Sequence, residues 1–191
     1  MTVAPGSIKT SIGKPSVVPP RLASLDFFPY LTEAGLLPEL FHGKLGAYAI
    51  FDQAQTLQYV GFSRDVYLSL KQHLTRCPQQ CHWVKLFEVS RPSRTVLEEI
   101  RQAWLAGQAT IPVGNGAEES RWTQAIDAKP HMTAEEQAAY GAADDAAKPK
   151  LLKQLSRRIE ALIKTELEAR GVTESFRFDP KLKEQGLLTL K

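Results

Sequence analysis

Residues 46–73 read GAYAIFDQAQTLQYVGFSRDVYLSLKQH: two short apolar runs flank a polar tetrapeptide, and a helical pattern follows at once. Runs 47–51 and 56–62 read as two strands, with Asp52-Gln53-Ala54-Gln55 as the hairpin loop between them. Tyr48, Ile50 and Asp52 alternate with Ala47, Ala49 and Phe51. On the second run Leu57 and Tyr59 share one face and Val60 and Phe62 the other. Gly61 closes that run where a Cβ would obstruct the close approach of a ligand or a neighbouring backbone. Ser63 or Asp65 can cap the following helix, whose buried stripe is Val66, Leu70 and Leu74 at i, i+4 and i+8. Asp65, Ser69, His73 and Arg76 fall on a different, polar face.

The same reasoning carries through the rest of the chain. Residues 1–22 hold Pro5, Pro15, Pro19 and Pro20, which withhold the amide proton that helices and sheets need, so an extended arm is expected over residues 1–24. Residues 25–41 turn apolar, and Pro29 and Pro38 divide them into one or two short helices expected to cover the domain that follows. Pro78 ends the helix after the hairpin. Residues 83–89, WVKLFEV, alternate and form a third strand. Ser93 caps a helix over residues 94–105, with Val96, Leu97, Ile100, Ala103 and Trp104 as its apolar face and Gly107 as its stop. Residues 111–121 contain Pro112, Gly114, Asn115 and Gly116 and read as a loop, after which residues 122–126 rejoin the core. Thr133 with Glu136 three residues later starts a short helix. A long helix over residues 150–170 carries a continuous stripe of Leu151, Leu152, Leu155, Ile159, Leu162, Ile163 and Leu167. The expected fold is a mixed α/β domain over residues 25–127, a three-stranded, largely antiparallel sheet flanked by helices, with a helical C-terminal extension over residues 128–191.

A chain of 191 residues with 43% hydrophobic and 24% charged residues can bury a full core unaided. The net charge of +3 announces neither a nucleic-acid partner nor a membrane. Two cysteines are too few for a disulfide framework, and no run approaches the ~18 apolar residues of a membrane-spanning helix. A cytoplasmic location is the default expectation, an unprocessed organelle protein the alternative.

The tripeptides Gly46-Ala47-Tyr48 and Tyr59-Val60-Gly61, in their hairpin context, resemble those that give the GIY-YIG endonuclease domain its name. The likeness covers residues 44–115 and is nearest to the GIY-YIG-like domain of plant chloroplast monothiol glutaredoxins and their stand-alone cyanobacterial relatives. The resemblance implies a DNA-cleaving site that uses one divalent ion, Mg²⁺ or Mn²⁺, to activate water and neutralise the phosphate. Tyr48 and Tyr59 stand at the two tyrosine positions, the first to orient or deprotonate the water. His73 falls where some homing-type members have a histidine, and Asn115 near the late asparagine. The metal-binding carboxylate has two candidates. Glu99 fits the apolar frame of Val96, Leu97 and Ala103 better, and Glu98 is the second choice.

One position departs from the family. The arginine expected ten residues after the second tyrosine is Ser69, which offers one neutral hydrogen bond in place of a charged, bidentate fork. Arg64, where the family often carries a second basic residue, is the catalytic substitute. Lys71 and Arg76 are the remaining candidates for holding a phosphate. Each of these residues also has an ordinary structural role open to it: half-buried strand tyrosines, solvated helix glutamates, a turn asparagine. His73, Cys77, Cys81 and His82 have metal-ligand spacing, but Pro78 interrupts their helix and the pattern fits no zinc module, so buried or incidental thiols are the preferred reading. The expected function is nucleic-acid binding with weak or lost metal-dependent cleavage. The alternative is a non-catalytic scaffold that docks a protein partner through the arm and the long helix.

Overall fold

The structure is a computed structural model that describes residues 19–90 and 93–191. Most of the expected arm therefore lies outside the described residues. The part within them is docked: a 3₁₀ turn at Leu22–Ser24 buries Leu22, the Pro20 carbonyl accepts from the Trp104 indole, and the Leu22 carbonyl accepts from Lys85 Nζ.

Four antiparallel strands form the main sheet in the order β1-β4-β2-β3: β1 (Phe28–Pro29), β2 (Gly46–Phe51), β3 (Leu57–Ser63) and β4 (Trp83–Glu88). The expected hairpin is β2–β3, with Tyr48 opposite Gly61 and Ile50 opposite Tyr59. Asp52 closes its loop by accepting from the Thr56 amide, and Gln55 takes a left-handed φ of 60° there. β4 adds to the other side of β2.

The fourth strand, β1, replaces the short helices expected over residues 25–41, of which only a 3₁₀ turn at Glu39–Phe41 is present. Pro29 is compatible with β1 because that strand lies at the sheet edge, where one side of the backbone needs no partner. The segment still covers the domain. Tyr30 is fully buried and its hydroxyl donates to the Leu70 carbonyl at 2.7 Å.

Every residue of β2 is buried, because helices close both faces of the sheet. Tyr48, Ile50 and Tyr59 face α1 (Val66–Arg76), with Leu70 and Leu74 in the same cluster. Ala47, Ala49, Phe51 and Val60 face α2 (Arg94–Ala106) through Leu97, Ile100 and Trp104. Asp65 and Ser93 cap these two helices through their side chains.

After α3 (Glu119–Thr123) the chain builds a second small core. It comprises β5 (Ile126–Asp127), α4 (Ala134–Ala142), α5 (Lys148–Ala169) and β6 (Leu187–Leu188), with β5 and β6 pairing antiparallel. Thr133 and Glu136 form the capping box of α4. The stripe of α5 divides: Leu152, Leu155 and Ile159 pack with Phe178, Leu188 and Leu190, while Leu167 packs with Tyr30, Leu37 and Phe41 in the main core. Leu162 alone among the buried-stripe candidates remains 58% exposed. Among the described residues no helix is long and apolar enough to cross a membrane.

Candidate functional site

The hairpin register explains how two tyrosines share one site. Residues directly opposite in β2 and β3 point to the same face, so Tyr48, Gly61, Ile50 and Tyr59 all project toward α1. Gly61 leaves a gap beside Tyr48, and the Tyr59 ring fills it. A Cβ on Gly61 would lie 2.5 Å from the Tyr59 ring and 3.1 Å from the Tyr48 ring. The glycine thus makes room for aromatic rings rather than for a ligand or another backbone.

His73 completes the cluster from α1. Its Nε2 lies 2.9 Å from the Tyr48 hydroxyl, and its ring lies 4.7 Å from that of Tyr59, centroid to centroid. Burial, then the neighbouring Arg76 charge, pushes the His73 pKa down to about 3, so the imidazole is neutral at physiological pH. A neutral ring can accept the Tyr48 proton at Nε2, with its own proton on Nδ1. Burial raises the Tyr48 pKa well above its ordinary value, with the Tyr59 hydroxyl adding to the effect. Burial raises that of Tyr59 too, opposed by the charges of Arg101 and Arg76. Both hydroxyls therefore hold their protons.

Trp122, from α3, closes the cluster. Its indole stacks on Tyr59 at 5.2 Å with an interplanar angle of 6°, and its carbonyl accepts from Arg76 Nη1 at 2.8 Å. Under it Tyr48 is 3% exposed, Tyr59 8% and His73 4%. The sequence offered no signal for this role, since a tryptophan after a glycine-rich loop reads as any core residue. Asn115 explains how the loop reaches back. Its side-chain Oδ1 accepts from the Val60 amide at 2.7 Å and its Nδ2 donates to the Val60 carbonyl at 2.8 Å. The side chain thereby acts as a strand partner for the exposed edge of β3. Asn115 braces structure in this conformation.

The two candidate glutamates on α2 differ in their neighbours. Glu98 is half-exposed; its Oε1 accepts from Arg101 at 3.0 Å and from Gln102 at 2.7 Å. Those bonds, that of Gln102 first, hold its pKa below the ordinary range. Arg101 also donates to the Val60 carbonyl, so the Glu98–Arg101 pair lies toward the open edge of β3. Glu99 is exposed. Of the two, Glu98 is the one tied to β3, through Arg101.

The basic residues disperse. Ser69, His73 and Arg76 share one face of α1, and the Ser69 hydroxyl donates to that of Ser63 at 2.8 Å. Lys71 lies on another face, paired at 2.6 Å with Glu174 of the C-terminal segment, to which Tyr67 also donates. Arg64 is exposed just before the Asp65 cap. Cys77 and Cys81 are buried free cysteines. Burial pushes the Cys77 thiol up to about 11 and that of Cys81 further, so both are protonated and unreactive. Among the described residues no three His, Cys, Asp or Glu side chains form a group that could hold a metal ion.

No protein-family model matches the chain. It is 33% identical over 93 residues, 44% of its length, to the bifunctional monothiol glutaredoxin-S16, chloroplastic, of Arabidopsis thaliana. The chain spans 32% of that protein's length.

Proposed function

We propose that this chain is a GIY-YIG nuclease-like protein that binds DNA and cleaves phosphodiesters slowly with Mg²⁺ or Mn²⁺. The observation that carries the reading is the packing of Tyr48, Tyr59 and His73 into one hydrogen-bonded aromatic cluster around Gly61. The partial likeness to a chloroplastic monothiol glutaredoxin is consistent with the resemblance read from the hairpin. Tyr48 donates to neutral His73, which leaves its oxygen free to accept a hydrogen bond from a water and so orient it, while the Tyr59 ring packs beside that pair. Arg76 replaces, two turns further along the same face, the charge missing at Ser69, and exposed Arg64 adds to DNA attraction. Asn115 holds β3 in register.

A single divalent ion suits Glu98. Its Oε2 carries no intramolecular hydrogen bond among the described residues, and its half-exposed position allows the remaining ligands to be water and phosphate, as Mg²⁺ prefers. Glu98 would hold the ion, with Glu99 as an exposed neighbour. When bound, the ion supplies charge for the phosphate and a more acidic water. The Arg101 guanidinium beside Glu98 competes with it and favours slow turnover.

A second reading keeps the fold as a scaffold for a protein partner. The seal of Trp122 over the tyrosines favours it, because substrate reaches neither hydroxyl until α3 moves. Plasmid nicking separates the two. The nuclease reading expects slow, EDTA-sensitive nicking of supercoiled DNA that falls at least tenfold in Glu98→Gln and in Tyr48→Phe, and less in Glu99→Gln. Nicking unaffected by Tyr48→Phe and Glu98→Gln, or none with either ion, would give the scaffold reading first place.

A further inference from the structure

A cleft of about 580 Å³ lies between the end of α1, α3, β5 and α5. That volume suits a single small molecule. Arg76 lines one wall, and its electrostatic situation is unusual. It is half-buried, burial lowers its pKa, and its side chain makes one hydrogen bond, to the neutral Trp122 carbonyl. Among the described residues no carboxylate pairs with it, although guanidinium offers five donors and cannot shed its charge. A half-buried cation with four donors left over calls for an anion. Arg121 stands in the same lining but is already paired with Glu118 at 3.2 Å, so Arg76 is the cation left for the anion among the described lining residues.

The opposite wall is apolar. Ile159, Leu162 and Ile163 of α5 line the cleft, and Leu162 is 58% exposed there although Leu152, Leu155, Ile159 and Leu167 of its stripe are buried. Asp127 and Glu166 also line it, as hydrogen-bond acceptors. Their charges oppose a run of phosphates and favour a ligand with one anionic group and donors of its own.

We propose that this cleft binds a small organic anion with an apolar body and hydroxyl or amino donors, the chemistry of a nucleoside monophosphate. Arg76 holds the anion and Leu162 packs on the body. The site stands whether or not the tyrosine cluster cleaves DNA, because nothing in it depends on a metal or on turnover.

Calorimetric titration of the full chain with AMP, adenosine and inorganic phosphate tests the site. AMP binds at millimolar concentration or below, and adenosine and phosphate each bind at least tenfold more weakly. Arg76→Gln, which keeps a donor for the Trp122 carbonyl, weakens AMP at least tenfold. Leu162→Asn alters an exposed position without adding charge, and weakens AMP and adenosine without changing phosphate. Absence of AMP binding overturns the proposal. So does AMP affinity unchanged in both variants, or adenosine bound as tightly as AMP.

Discussion

Two single residues govern the tyrosine cluster, and each makes a measurable prediction. Gly61→Ala would ordinarily gain ~0.5–1 kcal/mol by relieving the entropy of an in-strand glycine. Here the new methyl meets the Tyr59 ring, which Trp122 pins from the other side. Overpacking of that kind costs ~1–3 kcal/mol and wins, so urea unfolding should show a net loss of stability. His73 predicts a pH dependence. Its folded pKa of about 3 lies below the unfolded value near 6.5, so the unfolded chain binds the proton first. Stability attributable to His73 is complete above pH 6.5 and falls as pH drops from there toward 3. By pH 5 the loss is about 2 kcal/mol at 1.36 kcal/mol per unit. His82 is shifted in the same direction, so the check is a comparison with His73→Asn, whose stability should fall by less between pH 7 and pH 5. Equal slopes would mean that His73 is not buried neutral.

At the scale of elements, α5 shows how one helix serves two cores. Ile159 is buried in the second core, so Ile159→Ala should cost ~2–5 kcal/mol, whereas Leu162→Ala should stay within ~0.5 kcal/mol. Equal costs, measured by chemical denaturation, would contradict the division of the stripe. Elements with local signals were legible in the sequence: the β2–β3 hairpin, α1 with its Asp65 cap, β4, α2 behind Ser93, and the capping box of α4. Those whose existence depends on distant partners were not. β1 is two residues long and is a strand only because β4 lies beside it, and β5 exists only through β6. The site divides in the same way. Tyr48 and Tyr59 share a face through the hairpin register, which is a local signal, whereas His73, read from sequence as part of a polar face, is buried against them by the packing of α1. Trp122 reaches Tyr59 across 63 positions of sequence, and Lys71 finds Glu174 across 103, so neither pairing leaves a local trace.

For the whole molecule, the C-terminal segment is part of the body rather than an appendage. Leu167 and Val172 belong to the main core, the Thr173 amide donates to the Gly35 carbonyl, and Arg170 donates to the carbonyls of Pro78 and Cys81. Removing residues 130–191 would uncover Tyr30, Leu37 and Phe41 and strand Lys71 without Glu174. The truncated chain should aggregate or lose cooperative unfolding in calorimetry; a soluble, cooperatively melting fragment would refute this. The proposed function requires that the Tyr48–Tyr59–His73 cluster be competent and be limited by the neutral Ser69, for which Arg76 compensates only in part. The most direct measurement is the initial rate of Mg²⁺-dependent plasmid nicking by Ser69→Arg against the unaltered chain. Position 69 lies on the His73 face beside Tyr48, and a charged donor of this kind is worth ~100- to 1,000-fold in a competent site. With Trp122 still closing the cluster, a gain of at least about tenfold is expected. No gain in a variant whose circular dichroism and melting match the unaltered chain would contradict it.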